Sequence, residues 1–420
     1  MALQLISATA LILFLTAGCL AGEQALPPDQ ALAKAAARGD SILKDVNATP
    51  DTAAPPVPAE TPAKPNDVSF WYFEHPIYSS LLSRPETLAA FRDAHPGVTL
   101  SSQFIGEWNI AVQKFTVTVA AGDLPDVALV KRPWFERLVR SGRIAALDTV
   151  LPPALVDDLR KPSRDALTVN GRLYAMPADG FCSVLYFNRD LVGETAPRTW
   201  DELKTAAAKL SNQGPSTGKD RIIPIGDLPF LETLWSANGE LVKGARSGMS
   251  DPEAREALDF LLGLRTAGLA DPGVLGNTER AFNLFEAGRV AMTVASSEHL
   301  SRAQKCGLKV GVAPVPGKTG PLSLLSENVI VVFNRYAAAK RSSLAGVLDF
   351  LTGPTLQGAT AAERGSAPVR TSAMPPTFLP GLDQAYQLGR ATPLSPRWNE
   401  IQFETMRYVQ LAYLWNPVKR

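Results

Sequence analysis

A chain of 420 residues exceeds one typical domain and leaves room for two or three. Hydrophobic residues make up 45% of it and charged residues 20%, the balance of an ordinary globular protein. The formal net charge is +1, which gives no electrostatic case for nucleic-acid binding. The chain opens on a short apolar run, Ala8 to Ala17, with Cys19 close behind it. That run is too short for a bilayer, which takes about 20 apolar residues, and it reads as an export signal. Residues 20 to 66 read as a tether ending in Pro55, Pro56, Pro58, Pro62 and Pro65. Proline removes backbone donors and favours extended backbone, so this part reads as a semi-stiff spacer and not as core. A patch from Gln30 to Lys44 could form a short helix, but its apolar residues are mostly Ala and are expected to bury little.

From Val68 strand and helix patterns alternate. Val68 to Phe73 is β-rich, and Ser83-Arg-Pro-Glu86 is a capping-box pattern opening a helix through Ala94. A strand over Gly97 to Ile105, a helix over Trp108 to Ala121, a strand over Asp126 to Val130 and a helix from Pro133 to Ser141 follow. Asn170-Gly171 reads as a hairpin turn. Val184 to Phe187 is a strand, and Thr199-Trp-Asp-Glu202 caps a helix to Leu210. Arg221 to Ile225, Val290 to Val294, Leu308 to Val312 and Asn328 to Phe333 are further strands, with helices over Asp251 to Thr266 and Thr278 to Ala287. From Ala337 onward the chain is mainly helical. Such alternation predicts an α/β protein with a parallel sheet covered on both faces. No segment after the leader is apolar enough to span a membrane. Cys182 and Cys306 are expected as free buried thiols, with a disulfide as the alternative in an oxidising compartment.

Two resemblances organise these observations. Leu15-Thr16-Ala17-Gly18-Cys19 resembles the lipobox of a bacterial lipoprotein signal, in which the peptide is cut before a cysteine that then carries lipid. The alternative is an ordinary signal peptide cut near Ala21-Gly22. The rest resembles the extracellular solute-binding proteins that serve ABC importers of sugars, the maltose-binding-protein-like group. The segments that carry the likeness run in order: Phe91 to Val98, Ala120 to Val127, Gly142 to Asp148, Gly171 to Pro177, Leu185 to Leu191, Pro197 to Leu203, Phe285 to Met292 and Ala367 to Arg370. The resemblance implies a two-lobed fold with a hinge of crossing strands and an interlobe cleft. It divides the chain into a signal peptide over 1–18, a lipid-anchored tether over 19–66, lobe one over 67–178 and 320–373, and lobe two over 179–319 and 374–420. It implies capture of a carbohydrate, delivery to the membrane permease subunits of an importer, a monomer, a place in the periplasm or on the outer face of the cell membrane, and no cofactor.

A sugar presents apolar C–H faces and a rim of hydroxyls, so its site needs aromatic rings and directed polar groups. In open α/β sheets such groups lie beyond the carboxyl ends of strands. Candidates there are Trp71, Tyr72, Glu74 and His75 after the first strand, Trp108 at the next helix, and Lys131, Arg132 and Trp134 after the third. Asp179 and Phe181 stand at the first crossover, Trp235 and Asn238 in a Gly-bearing stretch, Glu298 and His299 after the Val290 strand, Glu327 before a late strand, and Arg370 at the last crossover. Each has a plain structural alternative. One of Trp71 and Tyr72 faces a core; Trp108 and Trp134 can pack a helix on the sheet; the carboxylates and Arg370 can be surface ion pairs.

Only three His occur, at 75, 95 and 299, with no metal-ligand spacing. No nucleophile elbow, P-loop or dinucleotide glycine pattern is present, so an enzyme is not expected. Two alternatives stay open: the same fold with a polyamine, a phosphorylated polyol or a peptide as cargo, and a binding lipoprotein that serves a sensor without transport.

Overall fold

The computed structural model describes residues 23–48, 64–121, 123–212, 221–273, 275–375, 379–395 and 397–415. The leader, Cys19 and the prolines from Pro55 to Pro62 lie outside them. The chain divides into two compact units. The first takes Asp51–Phe181 and Leu325–Phe378; the second takes Met1–Pro50, Cys182–Leu324 and Leu379–Arg420.

In chain order the elements begin with α1 (Pro28–Ala48), β1 (Asp67–Tyr72), α2 (Pro76–Leu81), α3 (Pro85–Ala94), β2 (Thr99–Phe104), α4 (Trp108–Ala121), β3 (Val127–Lys131) and α5 (Arg132–Arg140). There follow α6 (Pro153–Asp157), α7 (Lys161–Leu167), β4 (Thr168–Val169), β5 (Arg172–Leu173) and β6 (Ala175–Pro177). The next group is β7 (Ser183–Asn188), α8 (Arg189–Val192), α9 (Trp200–Ser211), β8 (Ile223–Ile225), α10 (Phe230–Ser236), β9 (Val242–Lys243), β10 (Arg246–Ser247) and α11 (Pro252–Thr266). Then come α12 (Thr278–Glu286), β11 (Val290–Ser296), α13 (Leu300–Lys305), β12 (Val310–Ala313), β13 (Ser323–Leu325) and β14 (Asn328–Val332). The chain closes with α14 (Arg341–Leu351), α15 (Pro354–Arg364), α16 (Pro380–Gln387), β15 (Gly389–Ala391) and α17 (Trp398–Leu414).

The first unit is built on a sheet in the order β2-β1-β3-β14-β6. β1 shows the two-residue period of a strand: Val68, Phe70 and Tyr72 are buried while Ser69 and Trp71 are half-buried. β3 is buried along Val127–Val130, as a central strand must be. β1 runs parallel to β2 and β3, but β14 runs antiparallel to both β3 and β6. The second unit has the order β12-β7-β11-β8; β8 and β11 are parallel, and β7 is antiparallel to β11 and β12. The wholly parallel sheet expected from the alternation is therefore replaced by two mixed sheets. β7 and β14 each begin just after the chain passes from one unit to the other, so no helix crossover within the unit fixes their direction.

Two local readings can be compared directly. The turn between β4 and β5 has Asn170 and Gly171 at φ 49° and 76°, the left-handed backbone that Asn and Gly tolerate. The capping box at Ser83 does not form. Helix α3 starts at Pro85 with Arg84 in the cap position, and the Ser83 hydroxyl donates instead to the Ser80 carbonyl in the last turn of α2. Thr199 does cap α9, its hydroxyl accepting from the Glu202 N–H at 3.2 Å.

The clearest departure from the sequence reading is α1. It is a helix of 21 residues that packs on the second unit, and its small side chains are what permit close approach. Ala31, Leu32, Ala35 and Ala36 join the main core of that unit, and Ile42 and Leu43 pack with Ile401. Burial of Leu32, Ile42 and Leu43 contributes about 2 kcal/mol each on transfer bookkeeping. A spacer that buries little is thus not what residues 28–48 form.

Replacing Ala35 by Glu forces a carboxylate into this seam. The helix is expected to detach, trypsin to cut faster after Lys34, Arg38 and Lys44, and the melting temperature to fall by several degrees. Unchanged cleavage and melting would contradict the docking.

Candidate functional site

In the first unit, the carboxyl ends of β1, β2, β3 and β6 and the start of β14 lie at one sheet edge, because Asn328 pairs with Lys131 and Val329 with Pro177. That edge gathers Phe73 to His75, Gly106 to Trp108, Lys131, Arg132, Ala178, Asp179, Glu327 and Asn328. At its centre Asp179 is fully buried. One carboxylate oxygen accepts the Asn328 N–H at 2.8 Å, and the other accepts the Asn328 side-chain amide at 2.5 Å. His75 is 4% exposed, with Nε2 3.3 Å from the same second oxygen. Its Nδ1 accepts from the Tyr78 N–H at the start of α2, so the proton sits on Nε2 and is directed at Asp179. Asp179 and His75 therefore join the end of β6, the start of β14 and the turn after β1. Beside them, Tyr78 is buried and its phenol is pushed far up, by desolvation first and the Asp179 charge second.

Glu327 is also buried. Its Oε1 accepts from the Ser163 hydroxyl, its Oε2 is buried without a hydrogen-bond partner, and burial raises its pKa to about 7 against the pull of Arg132. Arg132 is buried, donates to the Ala166 carbonyl at 3.1 Å, and is lowered by desolvation.

Outside this buried layer stands an aromatic and cationic group. The Trp108 ring meets Phe73 edge-on at 4.9 Å. Lys131 is exposed, and its Nζ lies 5.5 Å from the Trp108 centroid and 5.8 Å from that of Phe73. Glu74 is exposed next to them. Trp108 itself is half-buried, so its indole is partly accessible at this edge.

In the second unit, the carboxyl ends of β8 and β11 meet the start of β7, where Ser296 pairs with Ser183. Glu298 is exposed at this edge, with its N–H on the Ser296 hydroxyl at 3.3 Å. His299 is held by Glu279 at 3.1 Å and packs edge-on against Phe282. Two buried acids lie here. Asp227 accepts from the Gly276 N–H and the Thr278 hydroxyl, yet burial lifts its pKa to about 6. Glu232, in the first turn of α10, is lifted to about 7 mainly by burial, despite a hydrogen bond with Ser183.

Several sequence candidates lie elsewhere. Tyr72 is buried, between Phe70 and Phe104 at 5.7 and 5.8 Å. Trp71 packs on Phe115 with Lys114 over its ring at 4.6 Å. Trp134 is buried against Phe115. Phe181 is buried with Arg364 over its ring. Arg370 is tied to Asp158 at 2.7 Å and Asp349 at 2.6 Å. Asn238 is exposed in a left-handed turn after α10. Trp235 is 5% exposed within the core of the second unit, with Arg390 stacked over it at 4.3 Å. Its side chain fills that core, so truncating it would leave a cavity there. Neither Cys182 nor Cys306 forms a disulfide; the first is buried and the second half-buried.

Sequence reasoning passed over Phe73, Ser163, Ser183, Asp227 and Glu232. A carboxylate inside the apolar run Phe230-Leu-Glu-Thr-Leu-Trp235 was the available signal for Glu232.

Comparison with known proteins places these features in context. The sequence model described as "Bacterial extracellular solute-binding protein" matches residues 83–358. A binding protein of Brucella abortus is 27% identical over 352 residues, covering 78% of this chain and 84% of that protein. The maltotriose-binding protein of Pyrococcus abyssi is 25% identical over 203 residues, 48% of this chain and 44% of that one. Among solved structures, the sugar-binding protein MalE of Xanthomonas citri superposes with a TM-score of 0.68 at 22% identity, over 82% of this chain and 92% of that one.

The buried acids carry a pH signature. Because Glu232 is raised in the folded state, it binds its proton where the unfolded chain has lost it. The stability this gives is full below about pH 4.5 and is lost as pH rises through about 7. The melting temperature is expected to fall between pH 5 and pH 8, and Glu232→Gln to flatten that fall by on the order of 3 kcal/mol. Parallel curves for the two proteins would contradict the assignment.

Proposed function

The chain belongs to the bacterial extracellular solute-binding protein family, and we propose that it captures a carbohydrate outside the cytoplasm and delivers it to the membrane subunits of an ABC importer. The observation that carries the carbohydrate reading is the group of Trp108, Phe73 and Lys131 at the carboxyl edge of the first unit's sheet. Trp108 offers a half-buried indole to the C–H face of a pyranose, Lys131 donates to ring hydroxyls, and Glu74 accepts from them. Asp179, His75 and Asn328 hold that edge rigid from beneath. A relative that binds maltotriose and a structural neighbour described as sugar-binding agree with the class of cargo.

An anionic cargo would need several cations to converge. Of Lys131, Arg132 and Arg370, only Lys131 is exposed at this edge; Arg132 is buried beside Glu327, and Arg370 is committed to Asp158 and Asp349. This favours a neutral polyhydroxylated solute. At the N-terminus, the lipobox resemblance supports lipid attachment to Cys19 and a place on the outer face of a membrane.

A panel of mono- and oligosaccharides is expected to raise the melting temperature. A ligand at a hundred times its dissociation constant stabilises the folded state by about 2.7 kcal/mol. Trp108→Ala is expected to weaken the responding sugar at least tenfold, about 1.4 kcal/mol, while melting within a few degrees of the parent. A panel in which only a polyamine or a phosphate ester shifts melting would replace the carbohydrate reading. Unchanged affinity in Trp108→Ala would remove that residue from the site.

A further inference from the structure

Very little chain separates Cys19 from the folded protein. Glu23 is already held, its carboxylate accepting from Arg407 Nη2 at 2.6 Å and Nε at 2.9 Å. The Leu26 N–H donates to the Leu411 carbonyl at 3.1 Å. Beyond that point α1 runs antiparallel to α17. Arg38 reaches Glu400 and Glu404 at 3.6 and 3.4 Å, and Arg397 reaches Asp45 at 3.6 Å. Asp29 pairs with Arg255, and Asp40 accepts from the Ser247 N–H at 2.6 Å. Together with the buried Ala31, Leu32, Ala35, Ala36, Ile42 and Leu43, these contacts make α1 a fixed part of the second unit.

We propose that α1 is a strut that seats one end of the second unit on the lipid bilayer. The seated end consists of the segment entering α1 and the last turn of α17. The proposal rests on the lipoprotein reading of Cys19. Four peptide steps join Cys19 to Glu23, and extended chain covers at most about 3.6 Å per residue, so the anchor reaches about 14 Å. A flexible spacer of 45 residues would instead have a root-mean-square span of about 37 Å. One turn beyond Leu411, at the same end, Leu414 is 43% exposed, one of six large apolar side chains exposed among the described residues. An apolar side chain there is better accommodated at a headgroup boundary than in water. The lipid therefore acts as a short clamp, and the second unit carries the membrane-facing surface.

The test uses the full-length lipidated protein in phosphatidylethanolamine–phosphatidylglycerol vesicles whose headgroups carry an acceptor dye. A donor dye is attached at Leu414→Cys in a Cys306→Ser background. A second protein carries an insert of about twelve Gly and Ser residues after Gly22, which lengthens the reach and leaves every α1 contact in place. Energy transfer is expected to be efficient for the native spacing and several-fold lower with the insert. Equal transfer in the two proteins, or little transfer in either, overturns the proposal. Flotation separates the two levels of failure. A protein that floats with the vesicles but transfers little keeps its lipid anchor and loses the strut. A protein that does not float, or floats equally well as Cys19→Ala, lacks the anchor, and the strut falls with it.

Discussion

The carboxylate of Asp179 is the constraint on which the carboxyl edge of the first unit's sheet depends. It is fully buried and accepts from both the backbone and the side chain of Asn328, with His75 completing its shell. A buried charge is tolerated only when it is paired in this way, and leaving one such partner unmatched costs about 1–3 kcal/mol or more. Asp179 and its two partners come from the end of β6, the start of β14 and the turn after β1. Their mutual satisfaction fixes the start of β14 beside the end of β3, where Lys131 stands. The polar residues nearest the sheet thus act as framework, and the accessible chemistry lies one layer out.

The second unit follows another logic at the corresponding edge. Asp227 and Glu232 are buried and are lifted to about 6 and about 7, chiefly by desolvation. Burial of this kind favours the uncharged form of each carboxyl. Trp235 lies behind them in the hydrophobic core, with Arg390 over its ring. Its indole is packing, although its neighbours in sequence look like a binding wall.

Much of this was legible in the sequence, and the misses have physical causes. The β-rich run after Val68 gave β1, and the Asn170-Gly171 pair gave its turn through the left-handed backbone it favours. Sheet direction was not legible, because β7 and β14 begin where the chain changes unit and no local signal encodes which way a strand then runs. His75, Asp179 and Glu327 were legible as edge residues but not as buried ones, since their partners Asn328 and Ser163 come from distant positions. Helix α1 was misread because alanine buries little area by itself; what matters is that Ala31, Ala35 and Ala36 let two helices approach closely enough for Leu32, Ile42 and Leu43 to be covered. Arg370 looked like a ligand-binding cation and is instead satisfied by Asp158 and Asp349.

Carbohydrate recognition at the Trp108 edge is the central claim, and tryptophan fluorescence tests it most directly. Titrating saccharides into the protein should produce a saturable change in emission that disappears in Trp108→Phe while the melting temperature stays near that of the parent. A saturable change of equal size in Trp108→Phe, or no saccharide response in a folded protein, would contradict it.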